Sequence, residues 1–210
     1  GGGMQPTPKV AATVDKSTVT TELGKTETVA LTITGSDGFT GDVNVAPTLV
    51  DAQGAPLTGW TITATPPSVT LTQIGSATVH VDVAIPTDAA ELAPTLKLEL
   101  SSTAAPVEAD SAFTIAKQVT LTIDSGAGAA APHLGLPLPN SRLNVRAGTK
   151  LVFHNGDTTA HRIHGSNGIP HEADDLAPGA DYTVTVNSLG SWYCHDHEGD
   201  SDSRIVNIVP

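Results

Sequence analysis

The sequence predicts an all-β chain built as two β-sandwich domains in tandem. Three observations carry this. Short apolar runs alternate with period two from Lys9 onwards. No long segment shows the 3.6-residue apolar period of a helix. Gly 20 and Pro 15 in 210 residues supply turns between such runs and would break helix interiors. A chain of this length holds one large or two ordinary domains.

The first eight residues, Gly1 to Pro8, read as a flexible leader: a cloning remnant, or the tether after a removed signal or a lipidated cysteine. Residues 9–117 then read as strands throughout. Thr28–Thr34, Asp42–Val45, Thr61–Ala64, Val69–Thr72, Ala77–Ala84, Leu96–Leu100 and Ala112–Ile115 each alternate and are bounded by Gly, Pro, Asp or Ser. Seven short strands at this spacing predict a two-sheet sandwich. Trp60 at a strand start is read as a core residue. His80, mid-strand with no other ligand type near it in sequence, is read as a surface histidine.

The second domain is placed at 118–210. It opens on the alternating Gln118–Ile123, because without that strand the remainder is thin for a sandwich. A Gly/Ala-rich loop follows from Asp124 to Pro132. Ser141–Arg146 and Thr149–Asn155 are strands joined by an Ala147-Gly148-Thr149 turn. His161–His164 begins a strand after a loop, and Asp181–Val186 is another. Gly190–Tyr193 leads into Cys194-His195-Asp196-His197-Glu198-Gly199-Asp200, and Arg204–Val209 leads out.

Composition bounds the function. A net charge of −12 argues against nucleic acid and against an anionic membrane surface. No apolar run reaches membrane-spanning length. Cysteine occurs once, so no intrachain disulfide forms. A lone Cys in a polar, His-rich loop reads as a working thiolate rather than an apolar core residue. Thiolate and imidazoles on a short loop between strands are donors for a soft metal site, copper before zinc.

Two resemblances sharpen this. Gly38-Phe39-Thr40-Gly41-Asp42-Val43 with Pro67-Ser68-Val69-Thr70-Leu71 resembles the Ig-like repeats of bacterial surface and secreted proteins, which implies a spacer or adhesive module for 9–117. Val145–Thr149, Phe153-His154-Asn155, Ala160–His164, Leu176–Gly179 and Gly190–His197 resemble, in order, the cupredoxins of the plastocyanin/amicyanin branch. The expected fold is therefore Ig-like, then a cupredoxin-like Greek key. The second resemblance implies one copper ion held by His161, Cys194 and His197, with a role in electron transfer rather than catalysis. The family's axial Met is absent. Asp200, or second Glu198, is the candidate in its place. His195 is read as facing solvent or a partner, with an exchange against His197 as the alternative. His164 is read as surface, His154 as structural, and His133 and His171 as minor ligand candidates.

Asp196, Glu198, Asp200 and Asp202 form either a solvated loop or a docking face for a basic redox partner, such as a cytochrome or a copper enzyme. The implied location is exported: periplasmic, cell-surface or extracellular. Three other readings stay open: copper delivery or storage, a mononuclear copper enzyme with an open axial position, and a structural domain that holds zinc through the same donors.

Overall fold

A computed structural model of the chain describes residues 5–73, 75–124, 134–136, 142–169, 174–197 and 204–210. It is all-β, with no helix among the described residues. Two compact units are present. Gly1–Pro86 with Glu91–Ala116 make the first, and Thr87–Ala90 with Lys117–Pro210 the second.

The first unit contains β1 (Lys9–Val14), β2 (Thr18–Glu22), β3 (Thr26–Ser36), β4 (Gly41–Val50), β5 (Thr61–Thr65), β6 (Ser68–Leu71), β7 (Ser76–Ala84), β8 (Thr95–Ser101) and β9 (Val107–Ala116). One sheet runs β1-β3-β7-β5 and the other β2-β9-β8-β4-β6. Strand alternation decides the core. Val29, Leu31 and Ile33 of β3 and Val79, Val81 and Val83 of β7 are fully buried, while the residues between them are exposed or half-buried. Leu96, Leu98 and Leu100 do the same on β8. Trp60 is half-buried at the start of β5, and His80 is exposed on β7. The sequence reading missed β1 and β2. Their outward positions are mostly Thr and Ala, so the apolar alternation is faint there.

The second unit contains β10 (Gln118–Ile123), β11 (Arg142–Arg146), β12 (Thr149–Asn155), β13 (Ile163–Gly165), β14 (Asp181–Val186), β15 (Gly190–Asp196) and β16 (Arg204–Val209). Its sheets run β10-β12-β14 and β11-β16-β15-β13. The β10–β12 and β11–β16 pairs are parallel, and the others antiparallel. Leu121, Ile123, Leu151, Phe153 and Val186 are buried on the first sheet. Leu143, Val145, Ile163, Val206 and Ile208 are buried on the second. The tight β11–β12 turn is set by Gly148, whose φ of 83° lies where side chains other than glycine are strained. The structure extends β15 to Asp196, three residues beyond the Tyr193 end that the sequence implied. That extension determines the geometry of the candidate site.

Candidate metal centre

Because β15 continues through Asp196, its side chains alternate between two faces all the way to the His-rich segment. Cys194 and Asp196 turn inward and are buried, at 0% and 1% exposure. His195 between them is half-buried on the other face, and His197 just beyond the strand is exposed. β13 runs antiparallel beside it, with Ile163 opposite Asp196, His164 opposite His195 and Gly165 opposite Cys194.

The inner face holds a buried hydrogen-bonded network. His161 is joined to the loop before β14 by a two-bond bridge with Leu176, N to O at 3.1 Å and 2.6 Å. Its Nδ1 is hydrogen-bonded to Asp196 Oδ2, and its Nε2 lies 3.0 Å from Asp157 Oδ2. Both carboxylates are braced in turn. Asp196 Oδ1 accepts the Arg162 N–H at 3.0 Å. Asp157 accepts from the Thr158 N–H at 2.7 Å and the Thr159 hydroxyl at 2.9 Å. Buried Asn155 donates to the Thr159 and Leu176 carbonyls, both at 2.8 Å, and accepts the Asp157 N–H at 2.9 Å. The β12–β13 loop is thereby fixed to the end of β15. The His197 N–H adds a bond to the Arg162 carbonyl at 2.8 Å.

Cys194 lies on the same inner side. Burial, with a smaller contribution from the neighbouring Asp196 charge, pushes its thiol up to about 12. A thiol so raised stays protonated unless a cation displaces the proton.

The outer face carries a different group. The His164 and His195 ring centroids are 4.6 Å apart and tilted by 41°. His164 and His197 are 5.1 Å apart and meet edge-on at 70°. His195 and His197 are 6.5 Å apart.

The structure therefore does not gather His161, Cys194 and His197 at one point. His161 has a carboxylate oxygen against each ring nitrogen. Cys194 is on its side of the strand, and His197 is on the opposite side. The residue that meets His161 is Asp196, two positions after the cysteine. Among the described residues, no group of three or more His, Cys, Asp or Glu side chains is placed so that it could hold a metal ion. The inner residues as placed do not fit a His2Cys copper site. The axial candidates Asp200 and Glu198, and the minor candidates His133 and His171, lie outside the described residues. His154 pairs with Asp181, Nδ1 to Oδ1 at 2.6 Å, on an exposed part of the β12–β14 pair. The inward partners Asp157 and Asp196 escaped the sequence reading. Carrying period two past Tyr193 would have found Asp196; the Asp157 contact is set by a loop and has no periodic signal.

No protein-family model matches the chain, and no curated protein matches it. Solved structures similar to it include a purple cupredoxin from Nitrosopumilus maritimus, 16% identical, covering 43% of this chain and 99% of that one, with a TM-score of 0.36. A family 123 glycoside hydrolase from Clostridium perfringens is 9% identical, covers 54% of this chain and has a TM-score of 0.41; the match spans only 30% of that longer chain. Domains 4 and 5 of the S-layer protein SbsC are 16% identical over 51% of this chain and 53% of that one, at a TM-score of 0.33. Among the described residues no helix is long and apolar enough to cross a membrane.

Proposed function

We propose that the protein is an exported copper-binding protein, in which the second unit takes the ion and the first, Ig-like in its motifs, acts as a spacer. The observation that supports this most directly is the crowding of histidine donors on the β13–β15 strand pair, with three imidazole rings in mutual contact range. Imidazole nitrogen suits copper, and copper outcompetes the other divalent first-row ions for such donors. The sequence resemblance to cupredoxins points to the same metal.

The role favoured by this arrangement is copper holding or delivery. A trigonal thiolate plane is the electron-transfer arrangement, and here the thiol is buried on the inner face, away from the outer imidazoles. Half-buried and exposed donors, as His164, His195 and His197 are, exchange an ion with a partner more readily than enclosed ones. With a net charge of −12, the chain also attracts cations and any basic partner.

The deciding measurement is addition of Cu(II) to the stripped full chain, with visible absorption recorded beside that of Cys194→Ala. The expected result is uptake of copper with only weak absorption, identical in the two proteins. An intense band that disappears in Cys194→Ala would instead reinstate the His161–Cys194–His197 electron-transfer centre.

A further inference from the structure

We propose that β5 is the edge through which two copies of this chain pair, strand against strand and antiparallel, about a two-fold axis at Thr63. The pairing needs no metal and lies in the first unit, outside the copper-binding reading.

β5 is the end strand of its sheet, and among the described residues it pairs with β7 alone. The ladder shows which of its backbone groups are left over. The Asp15 N–H donates to the Ala30 carbonyl at 2.9 Å, so Ala30 faces β1 and its neighbours Val29 and Leu31 face β7. Their partners Val81 and Val79 therefore face β3, while Asp82 and His80 face β5. Across from these, Thr63 and Thr65 turn their N–H and C=O groups toward β7. Ile62 and Ala64 turn theirs away from the sheet. The N–H and C=O groups of both residues thus stand open along one edge, which is a template for a further strand.

Most strand edges are guarded by charge, and this one is not. Lys9, Asp15, Lys16 and Glu22 mark the β1 and β2 side of the same unit. Residues 52–81, which include β5 and β6, contain no Asp, Glu, Lys or Arg. In a chain of net charge −12, two copies repel over most of their surface and least along this edge. The inner row of the strand is also incompletely covered. Ile62 and Ala64 lie opposite Val83 and Val81, which are fully buried, yet they and Trp60 are only half-buried.

The pattern of the strand points to a second copy as its partner. Thr61-Ile62-Thr63-Ala64-Thr65 has the same alternation read in either direction. Set antiparallel to itself about Thr63, it places Thr against Thr on the outer face, a favourable cross-strand pair, and Ile62 against Ala64 on the inner face. The open backbone groups belong to those same Ile62 and Ala64 residues, so each Ile62–Ala64 pair exchanges two hydrogen bonds. The other uncharged edge strand, β6, lacks this symmetry. Ser68-Val69-Thr70-Leu71 against itself in full register opposes Val69 to Thr70 and mixes the faces. Pro66 and Pro67 stop the β5 ladder, and a two-fold contact uses up the edge that makes it, so the assembly closes at two. An edge of five residues is a small contact, so the dimer forms reversibly and at high concentration.

The test is sedimentation equilibrium of the full chain from about 10 μM to about 1 mM, the range of weak contacts, with EDTA present so that no metal bridges the copies. Ala64→Pro removes an outward N–H that β7 does not use. Thr63→Glu sets two carboxylates against each other at the axis, and Thr63→Lys two ammonium groups. Thr20→Glu, on the edge strand β2 of the other sheet, is the comparison. The expected result is a monomer–dimer equilibrium in the wild type. Ala64→Pro and Thr63→Glu should each weaken it by about tenfold or more, and Thr20→Glu should leave it unchanged. An equal mixture of Thr63→Glu and Thr63→Lys should regain association, which misfolding cannot imitate. A dimer that survives both Ala64→Pro and Thr63→Glu overturns the β5 contact and places the interface elsewhere. A wild type that stays monomeric throughout overturns the pairing of copies and leaves this edge to a strand of another protein. Growth beyond two copies overturns the closed two-fold geometry.

Discussion

At Asp196 one carboxylate holds two segments: Oδ1 takes the Arg162 N–H and Oδ2 meets His161. The group is 1% exposed, so alanine there leaves a buried imidazole and a part-buried N–H without this partner. Such a loss costs about 3 kcal/mol. Asp196→Ala should therefore lower the urea midpoint clearly, and an unchanged midpoint would show that the network contributes nothing. Two positions earlier, Cys194 carries a second prediction. Its thiol is raised from 9.0 to about 12 by burial and by Asp196. The folded state thus keeps a proton that the unfolded state gives up. Its stabilising effect is fully present below pH 9.0 and is lost as pH rises towards 12, with a slope of roughly 1.4 kcal/mol per pH unit from this group. A thiol reagent at pH 8 should react with Cys194 only after unfolding; rapid labelling of the native protein would contradict its burial.

Two glycines permit close approaches around β13. A Cβ on Gly165 would clash with the Ile169 carbonyl oxygen in the following turn, and one on Gly168 would clash with the Trp192 ring of β15. Trp192 is anchored by its Nε1–H donating to the Ser188 carbonyl at 2.7 Å. Gly168→Ala should displace that ring at a cost of about 1–3 kcal/mol, visible as a shift in tryptophan emission. Gly165→Ala meets backbone rather than a movable ring, so it should shift β13 itself. Copper affinity should fall with it, although residue 165 bears no donor; equal affinity would mean that the β13 register does not matter to the site. This element was also the hardest to read from sequence. The alternation in β3, β7 and β8 was legible because apolar residues mark the inner face. In Trp192–Asp196 the inner face holds a cysteine and an aspartate, and the outer face a tyrosine and a histidine, so polarity no longer tells the faces apart. The presence of a dense donor cluster was readable there; its division between two faces was not.

Across the molecule, the change of motif near Lys117 predicts a boundary there, whereas nothing in the sequence points to the inclusion of Thr87–Ala90 in the second unit. That segment is held by the Thr87 hydroxyl donating to the Asn144 carbonyl at 2.5 Å and by Arg146 Nε donating to the Asp88 carbonyl at 2.9 Å. Both bonds join residues far apart in sequence, where local pattern carries no information. The two units should unfold as separable transitions in calorimetry. If copper binds the second unit, an ion at a hundred times its dissociation constant should stabilise that transition by about 2.7 kcal/mol. The first-unit transition should stay where it is, and movement of both together would refute independent binding.

β16 lies between β11 and β15, parallel to the first and antiparallel to the second. It is later in sequence than every strand it joins. On the ribosome, β11 and β15 therefore emerge with no neighbour between them, and their sheet closes only once Arg204–Val209 has been released. Throughout that interval Cys194 has no inner face to occupy. The thiol that the finished fold shelters is open to oxidants and stray metal ions during synthesis, so the hazard to this cysteine belongs to the chain's first moments rather than to its working life.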